Sequence, residues 1–143
     1  MGYIVVIGGS NIDLKAYSED YLMNTSNPGH VEESLGGVGR NIAENLGLLG
    51  NEVYLLTAVG NDHFGNKLLK ETEKSDVNID KVKVDKKIKT GLYLAHLDQQ
   101  GELISAISGM EIMKSINKSY IKEQKNIIKN ASLVIFDTNL EEK

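Results

Sequence analysis

The residues whose types and spacing could do chemistry lie in the segment LGGVGRN, residues 35–41. Adjacent Gly36 and Gly37 would let backbone N–H groups approach a ligand without a Cβ in the way, and a helix start offers further unpaired donors. Asn41 adds one donor group and one acceptor, which suits a hydroxyl. This chemistry predicts a polyhydroxylated ligand such as a sugar, although a tight turn with Asn41 as a local helix cap fits the same residues.

Two phosphate-binding motifs do not fit this segment. A P-loop needs a lysine and a hydroxyl residue after its second glycine, and Arg40-Asn41 stands there instead. A dinucleotide-binding turn needs GxGxxG after a buried strand, whereas the preceding residues are HVEES. The three histidines, His30, His63 and His96, lack the spacing of metal ligands, so we predict no metal site.

The elements that would position these residues alternate between strands and helices. Continuous apolar runs predict buried strands at 3–7, 52–59 and 132–137. Helical spacing of apolar residues predicts helices at 40–49, at about 61–74 with Asn61 or Asp62 as N-cap, and at 117–130. More polar strands or connecting segments are expected at 12–17 and 30–35, and a β-hairpin at 91–98 and 102–107. The alternation predicts an α/β fold with a small β accessory layer.

Composition narrows the class of protein. The chain has 143 residues, of which 41% are hydrophobic and 25% charged, values typical of one globular domain. Its net charge is −4 with no cationic stripe, which argues against a nucleic-acid partner. Without cysteine, thiolate catalysis is excluded. No basic leader or long apolar run is present, so we expect a cytoplasmic protein with no membrane partner.

Two glycine motifs carry a resemblance to a known family. Gly9-Ser10-Asn11-Ile12-Asp13 matches a strand ending in GxNxD, and a second motif starts at Gly36-Gly37. The other members of the second motif are Asn41, Gly47, Gly50, Gly60 and Gly65. Over essentially its whole length the sequence resembles the PfkB family of ribokinase-like sugar kinases. Within that family it is most similar to pseudouridine kinases, through SNPG at 26–29, GGVGRNIAENLGLLGN at 36–51 and FDTN at 136–139.

The resemblance implies the N-terminal part of an αβα three-layer domain with a small β-strand lid over the sugar. The core would comprise about 1–11, 36–90 and 109–143, and the lid about 12–35 and 91–108. Homodimers of this family often form through the lid, which implies a second copy of the chain as a partner.

The resemblance also implies roles for individual residues. Asp13 would bind two ribose hydroxyls, and Asn11 would orient that strand end or touch the sugar. Gly36 and Gly37 would present backbone to the ribose, and Asn41 would hold the hydroxyl next to the one that is phosphorylated.

Four further residues are weaker candidates for contacts to the base or the sugar. Asn139 follows a predicted strand, Thr90 opens the hairpin, and Ser26 and Asn27 belong to the lid. A turn role fits Asn139, Ser26 and Asn27 as well.

The implied reaction is ATP-dependent phosphorylation of the 5′-hydroxyl of a ribosyl substrate, with pseudouridine favoured and a ribokinase or another nucleoside kinase as the alternative. The family uses ATP with Mg²⁺ and often a monovalent cation. Its catalytic aspartate lies in a Gly-Ala-Gly-Asp motif, which does not occur in this sequence. We therefore assign no catalytic residue, and expect the chain alone to be inactive and to bind none of these cofactors. A short, non-catalytic protein that binds a sugar or dimerises through its lid remains the other alternative.

Overall fold

The computed structural model describes residues 2–138 and Leu140. Its central sheet consists of β1 (Ile4–Ile7), β4 (Val53–Leu56), β6 (Val77–Asn78) and β10 (Leu133–Phe136). Their spatial order is β10-β1-β4-β6, and every pairing is parallel. The apolar run at β1 therefore lies inside the sheet, as predicted for a strand that is buried on both faces.

Helices cover both faces of this sheet. On one face, Ala43 of α1 (Val38–Leu48) packs against Val6 and Leu55. On the other face, Tyr120 of α3 (Lys118–Glu123) packs against Val5 and Ile7 together with α4 (Lys125–Lys129). This is the αβα three-layer order that the resemblance implied.

A second sheet stands beside the core, and we call it the lid sheet. It consists of β2 (Asn11–Ser18), β3 (Gly29–Gly36), β8 (Gly91–Leu97) and β9 (Leu103–Gly109). Their order is β3-β2-β8-β9, in which β2 and β8 run parallel and the other two pairings are antiparallel. The predicted β-hairpin is therefore confirmed.

The base of the lid sheet rests on a helix. Ile12 of β2 packs against Val59 and against Leu68 of α2 (His63–Glu73). The N-cap of α2 is Asp62, whose carboxylate accepts a hydrogen bond from the Gly65 N–H at 2.9 Å. One of the two predicted caps is thus confirmed, and it fixes the helix on which the lid stands.

The single strand predicted at 52–59 is wrong. Thr57 separates β4 from β5 (Ala58–Gly60), which leaves the central sheet and pairs in parallel with β7 (Lys83–Asp85). The carbonyl oxygen of Thr57 accepts a hydrogen bond from the Lys83 N–H at 2.9 Å, which marks the change of partner. Because both halves of the run are buried, its hydrophobicity contains no signal for this change.

The single helix predicted at 117–130 is also wrong, because it is divided at Gln124 into α3 and α4. A 3₁₀ helix, Glu111–Ser115, precedes α3. No helix in the described part of the chain is long and apolar enough to cross a membrane.

Candidate functional site

Asn11, Asp13 and Gly36 meet at the base of the lid sheet. Asn11 lies opposite Gly36 in the β2–β3 pairing, and Asp13 follows two residues later on the same face of β2. The Asn11 Nδ2 donates a hydrogen bond of 2.5 Å to the Asp13 Oδ1. Asn11 is buried and Asp13 half-buried, so the amide fixes the direction of a carboxylate that solvent or a ligand can still reach.

Packing within the chain already requires glycine at positions 36 and 37. A Cβ at Gly36 would lie 2.5 Å from the Asp13 Oδ2. Gly37 has φ +97°, and a Cβ there would lie 2.3 Å from the Gly9 carbonyl oxygen. The glycines therefore let β3 and the start of α1 approach β2 and the loop after β1. Direct contact of their backbone with a sugar stays a prediction.

Two N–H groups in the first turn of α1 are already bonded. The Gly39 N–H donates to the Asp137 Oδ2 at 2.8 Å, and the Arg40 N–H donates to the Gly9 carbonyl oxygen at 3.1 Å. The expectation that the helix start offers free donors is therefore wrong for these two groups. The Arg40 bond attaches the helix to the loop that carries the GxNxD motif, and the Gly39 bond attaches it to the residue after β10.

Asp137 is the residue of this region that the sequence analysis missed. It is buried directly after β10, and its Oδ2 also accepts a hydrogen bond of 2.7 Å from the Gly9 N–H. One carboxylate oxygen thus connects the end of β10 with the loop after β1 and the start of α1. The available signal was an acidic residue immediately after an apolar run that predicts a parallel strand, since such strand ends meet at one edge of the sheet. The predicted burial of that strand is wrong, because β10 is an edge strand of the described sheet and its Leu133 and Phe136 are exposed.

Asn41 is exposed on α1, one turn after the helix begins. The N-cap of α1 is Gly37, which forms no side-chain capping bond, so the interpretation of Asn41 as a helix cap is wrong. Its Oδ1 accepts a hydrogen bond of 2.7 Å from the Arg40 Nη1.

Thr90 is buried where β8 begins, and its polar groups are occupied. Its hydroxyl donates to the Asp62 Oδ1 at 2.8 Å and accepts from the Gly60 N–H at 2.9 Å. Burial alone would raise the pKa of Asp62, but hydrogen bonds from the Thr90 and Gly65 backbones outweigh it and lower that pKa. Thr90 thus ties the lid sheet to the start of α2, and its contact with a ligand stays a prediction.

Ser26 and Asn27 lie at the opposite end of the lid sheet from Asp13. The side chain of Asn27 closes its own loop, because its Oδ1 accepts from the Leu22 N–H at 2.7 Å and its Nδ2 donates to the Leu22 carbonyl oxygen at 3.0 Å. From Asp13 to the end of β2 at Ser18 the strand spans about 17 Å. Contacts from these residues to a base stay a prediction, and Asn139 lies outside the described residues.

No group of three or more His, Cys, Asp or Glu side chains in residues 2–138 and 140 could hold a metal ion.

Comparison with known sequences agrees with the two glycine motifs. Residues 1–143 match the model of the pfkB family carbohydrate kinases, and the chain belongs to this family. It is 42% identical to the pseudouridine kinase of Escherichia coli (strain K12), over 99% of this chain and 45% of that protein. It is 33% identical to the guanosine-inosine kinase of Exiguobacterium acetylicum, over 98% of this chain and 46% of that protein. The chain thus spans a little under half the length of these relatives.

Solved structures give the same fold. A carbohydrate kinase from Agrobacterium tumefaciens superposes with a TM-score of 0.89 at 29% identity, over 98% of this chain and 46% of that one. The ribokinase of Giardia lamblia superposes with a TM-score of 0.87 at 23% identity, over 99% of this chain and 46% of that one. The predicted ribokinase-like fold is confirmed.

Proposed function

We propose that this chain provides the sugar-binding part of an ATP-dependent kinase that phosphorylates the 5′-hydroxyl of pseudouridine. The observation that carries the proposal is the Asn11–Asp13 pair beside Gly36 at the base of the lid sheet. An ionised carboxylate is an acceptor with several lone pairs, so it suits two neighbouring hydroxyls of a ribose. The identity of 42% with a pseudouridine kinase favours this nucleoside.

In this proposal the sugar lies between the base of the lid sheet and the first turns of α1. Asn11 supports Asp13 from inside the protein, which leaves the Asp13 Oδ2 for the substrate. Charge-assisted hydrogen bonds are roughly twice as strong as neutral ones, so Asp13 supplies the largest part of the sugar affinity. Asn41 contacts the hydroxyl beside the one that receives the phosphate.

ATP with Mg²⁺, and a monovalent cation, belong to the same proposal as the phosphate donor and its counterions. The described residues offer no cluster of carboxylates for a divalent ion, and the sequence contains no Gly-Ala-Gly-Asp. The residues present thus do not fit these groups, and we assign none of them to the base, the nucleotide or the metal.

We also propose a cytoplasmic homodimer that forms through the lid sheet. Three exposed apolar side chains, Val31, Leu94 and Ile107, lie on the face of the sheet opposite to Asp13. Light scattering during gel filtration should give the mass of two chains, and Ile107→Lys should give the mass of one. A monomeric wild type, or a dimer that survives the lysine, would reject this interface.

The substrate is tested with the complete gene product that contains these 143 residues. ADP release should be compared for pseudouridine, uridine, guanosine and ribose under identical conditions. We expect the highest kcat/KM with pseudouridine. A preference for guanosine would favour the substrate of the guanosine-inosine kinase over pseudouridine. No turnover with any of the four compounds would reject the proposal of a ribosyl kinase.

A further inference from the structure

We infer that Arg40 is a positioning residue, which holds Asn41 so that its amide N–H₂ group points to the substrate; this rests on the proposed sugar site. Only 2% of Arg40 is exposed, and all three guanidinium nitrogens donate. Nη1 donates to the Asn41 Oδ1 at 2.7 Å, Nε to the Thr72 Oγ1 at 3.2 Å, and Nη2 to the Glu44 Oε1 at 2.5 Å. A buried charge is tolerated only when it is paired and hydrogen-bonded. The three hydrogen bonds meet this requirement, and together they hold the guanidinium in one position.

The two contacts other than Asn41 act as anchors on different elements. Thr72 is fully buried on α2, and its hydroxyl hydrogen goes to the Leu68 carbonyl oxygen at 2.8 Å, which leaves its oxygen lone pairs for Arg40. Glu44 lies one turn further along α1 and carries the compensating charge. Because the guanidinium is rigid and planar, fixing two of its nitrogens also fixes the third, which faces Asn41.

The contact with Arg40 determines the orientation of the Asn41 side-chain amide. Arginine has donors and no acceptor, so the amide atom that faces Arg40 must be the oxygen. The Nδ2 therefore points away from Arg40, and it has no hydrogen-bond partner among the residues that the structure describes. Asn41 thus offers a donor, whereas Asp13 on the lid sheet offers only acceptors.

The two sides of the proposed site are therefore complementary in polarity. A ribose hydroxyl that contacts Asp13 donates its hydrogen to the carboxylate. A hydroxyl that contacts Asn41 accepts a hydrogen bond from the amide N–H₂ group with its oxygen. A hydroxyl that accepts from Asn41 keeps its own hydrogen for another partner. Arg40 determines this second contact without itself touching the substrate.

A double-mutant cycle on the complete gene product tests the inference. We expect Arg40→Met to lower kcat/KM for pseudouridine about 10-fold in the wild-type background, and less than about 2-fold when Asn41→Ala is already present. Arg40→Lys should recover part of the loss, because an ammonium can reach Asn41 but lacks the planar fork. Equal losses in the two backgrounds would mean that Arg40 acts independently of Asn41, and would overturn the inference.

Two more variants separate positioning from folding. Thr72→Val removes one anchor of Arg40 from α2, outside the site, and should lower kcat/KM about 2–5-fold, again only while Asn41 is present. Leu46→Ala on α1 removes packing against the core and should lower Tm with kcat/KM unchanged. If Leu46→Ala lowers kcat/KM as much as Arg40→Met does, a loss of stability explains both, and the inference is wrong.

A readout without substrate distinguishes failure of this inference from failure of the proposed function. In ¹⁵N-labelled protein, the Asn41 side-chain N–H₂ signals should shift and broaden in Arg40→Met and not in Leu46→Ala. If the wild type phosphorylates no ribosyl compound but these signals respond, the proposed function fails and the positioning by Arg40 stands. If the signals do not respond to Arg40→Met, the positioning fails whatever the activity.

Discussion

Removing the Asp137 carboxylate should destabilise this protein more than any exposed substitution. Its Oδ2 accepts two backbone N–H bonds, of 2.7 Å from Gly9 and 2.8 Å from Gly39, and all three residues are buried. Hydrogen bonds to charged groups contribute roughly 1.5–3 kcal/mol each. Asp137→Ala should therefore lower the free energy of unfolding by about 3–6 kcal/mol, which is comparable to the whole stability of a marginal domain.

Asp137→Asn gives a measurable intermediate. The amide oxygen can still accept both N–H groups but without the charge, so the loss should be about half that of the alanine variant. Urea unfolding followed by circular dichroism measures the change, provided that the m-value is conserved.

Asp98→Ala is the matched control for Asp137. Its carboxylate also accepts two backbone N–H bonds, of 2.9 Å from Gln100 and 2.8 Å from Glu102, but in the exposed turn of the hairpin. It should cost about 1 kcal/mol or less, because water replaces the lost acceptor. Equal losses of unfolding free energy in Asp98→Ala and Asp137→Ala would refute the reasoning that burial strengthens the hydrogen bonds to Asp137.

Two further predictions concern acid stability and the glycine motif. The pKa of Asp85 is lowered from 3.8 to about 2. The causes are hydrogen bonds from the backbone N–H groups of Lys87 and Ile88 and from the Ser115 hydroxyl. This carboxylate stabilises the fold above about pH 4 and loses that effect as the pH falls towards 2. Between these two pH values the Tm of Asp85→Asn should therefore fall less than the Tm of the wild type. An equal fall of Tm in the two proteins would contradict this prediction. Gly37→Ala should lower the free energy of unfolding more than Gly50→Ala does. Both glycines have positive φ, but an added Cβ would meet other atoms only at Gly37. Equal urea midpoints for the two variants would show that the positive φ alone determines the loss of stability.

Local patterns predicted much of the architecture. The apolar run of β1, the hairpin and the Asp62 cap each depend on residues that are near one another in sequence, so periodicity and capping rules identify them. The break at Thr57 was not predictable in this way, because a buried strand looks the same whether its partner is β1 or β7. The break at Gln124 has no glycine or proline to mark it.

The site shows the same division. Asn11 and Asp13 share a face of β2 because strand side chains alternate. The sequence analysis began this strand at residue 12, so it found both residues through the GxNxD motif but did not place Asn11 on the strand. The contact of Asp137 with Gly9 spans 128 positions, so only the three-dimensional structure brings these residues together. Arg40 was named from the sequence only as a departure from the P-loop motif. Arginine is seldom buried, and the contact of Arg40 with Thr72 depends on how α1 packs against α2.

Direct binding of pseudouridine tests most closely the claim that the Asn11–Asp13 pair holds a ribose. Isothermal titration of the complete gene product should be performed with the wild type, with Asp13→Ala, and with Asp20→Ala, which removes an equal charge from an exposed position beyond β2. Two lost charge-assisted bonds should weaken the affinity of Asp13→Ala at least about 100-fold, while Asp20→Ala binds as the wild type does and circular dichroism shows the fold retained in both. Wild-type affinity in Asp13→Ala would contradict the assignment of this carboxylate to the sugar.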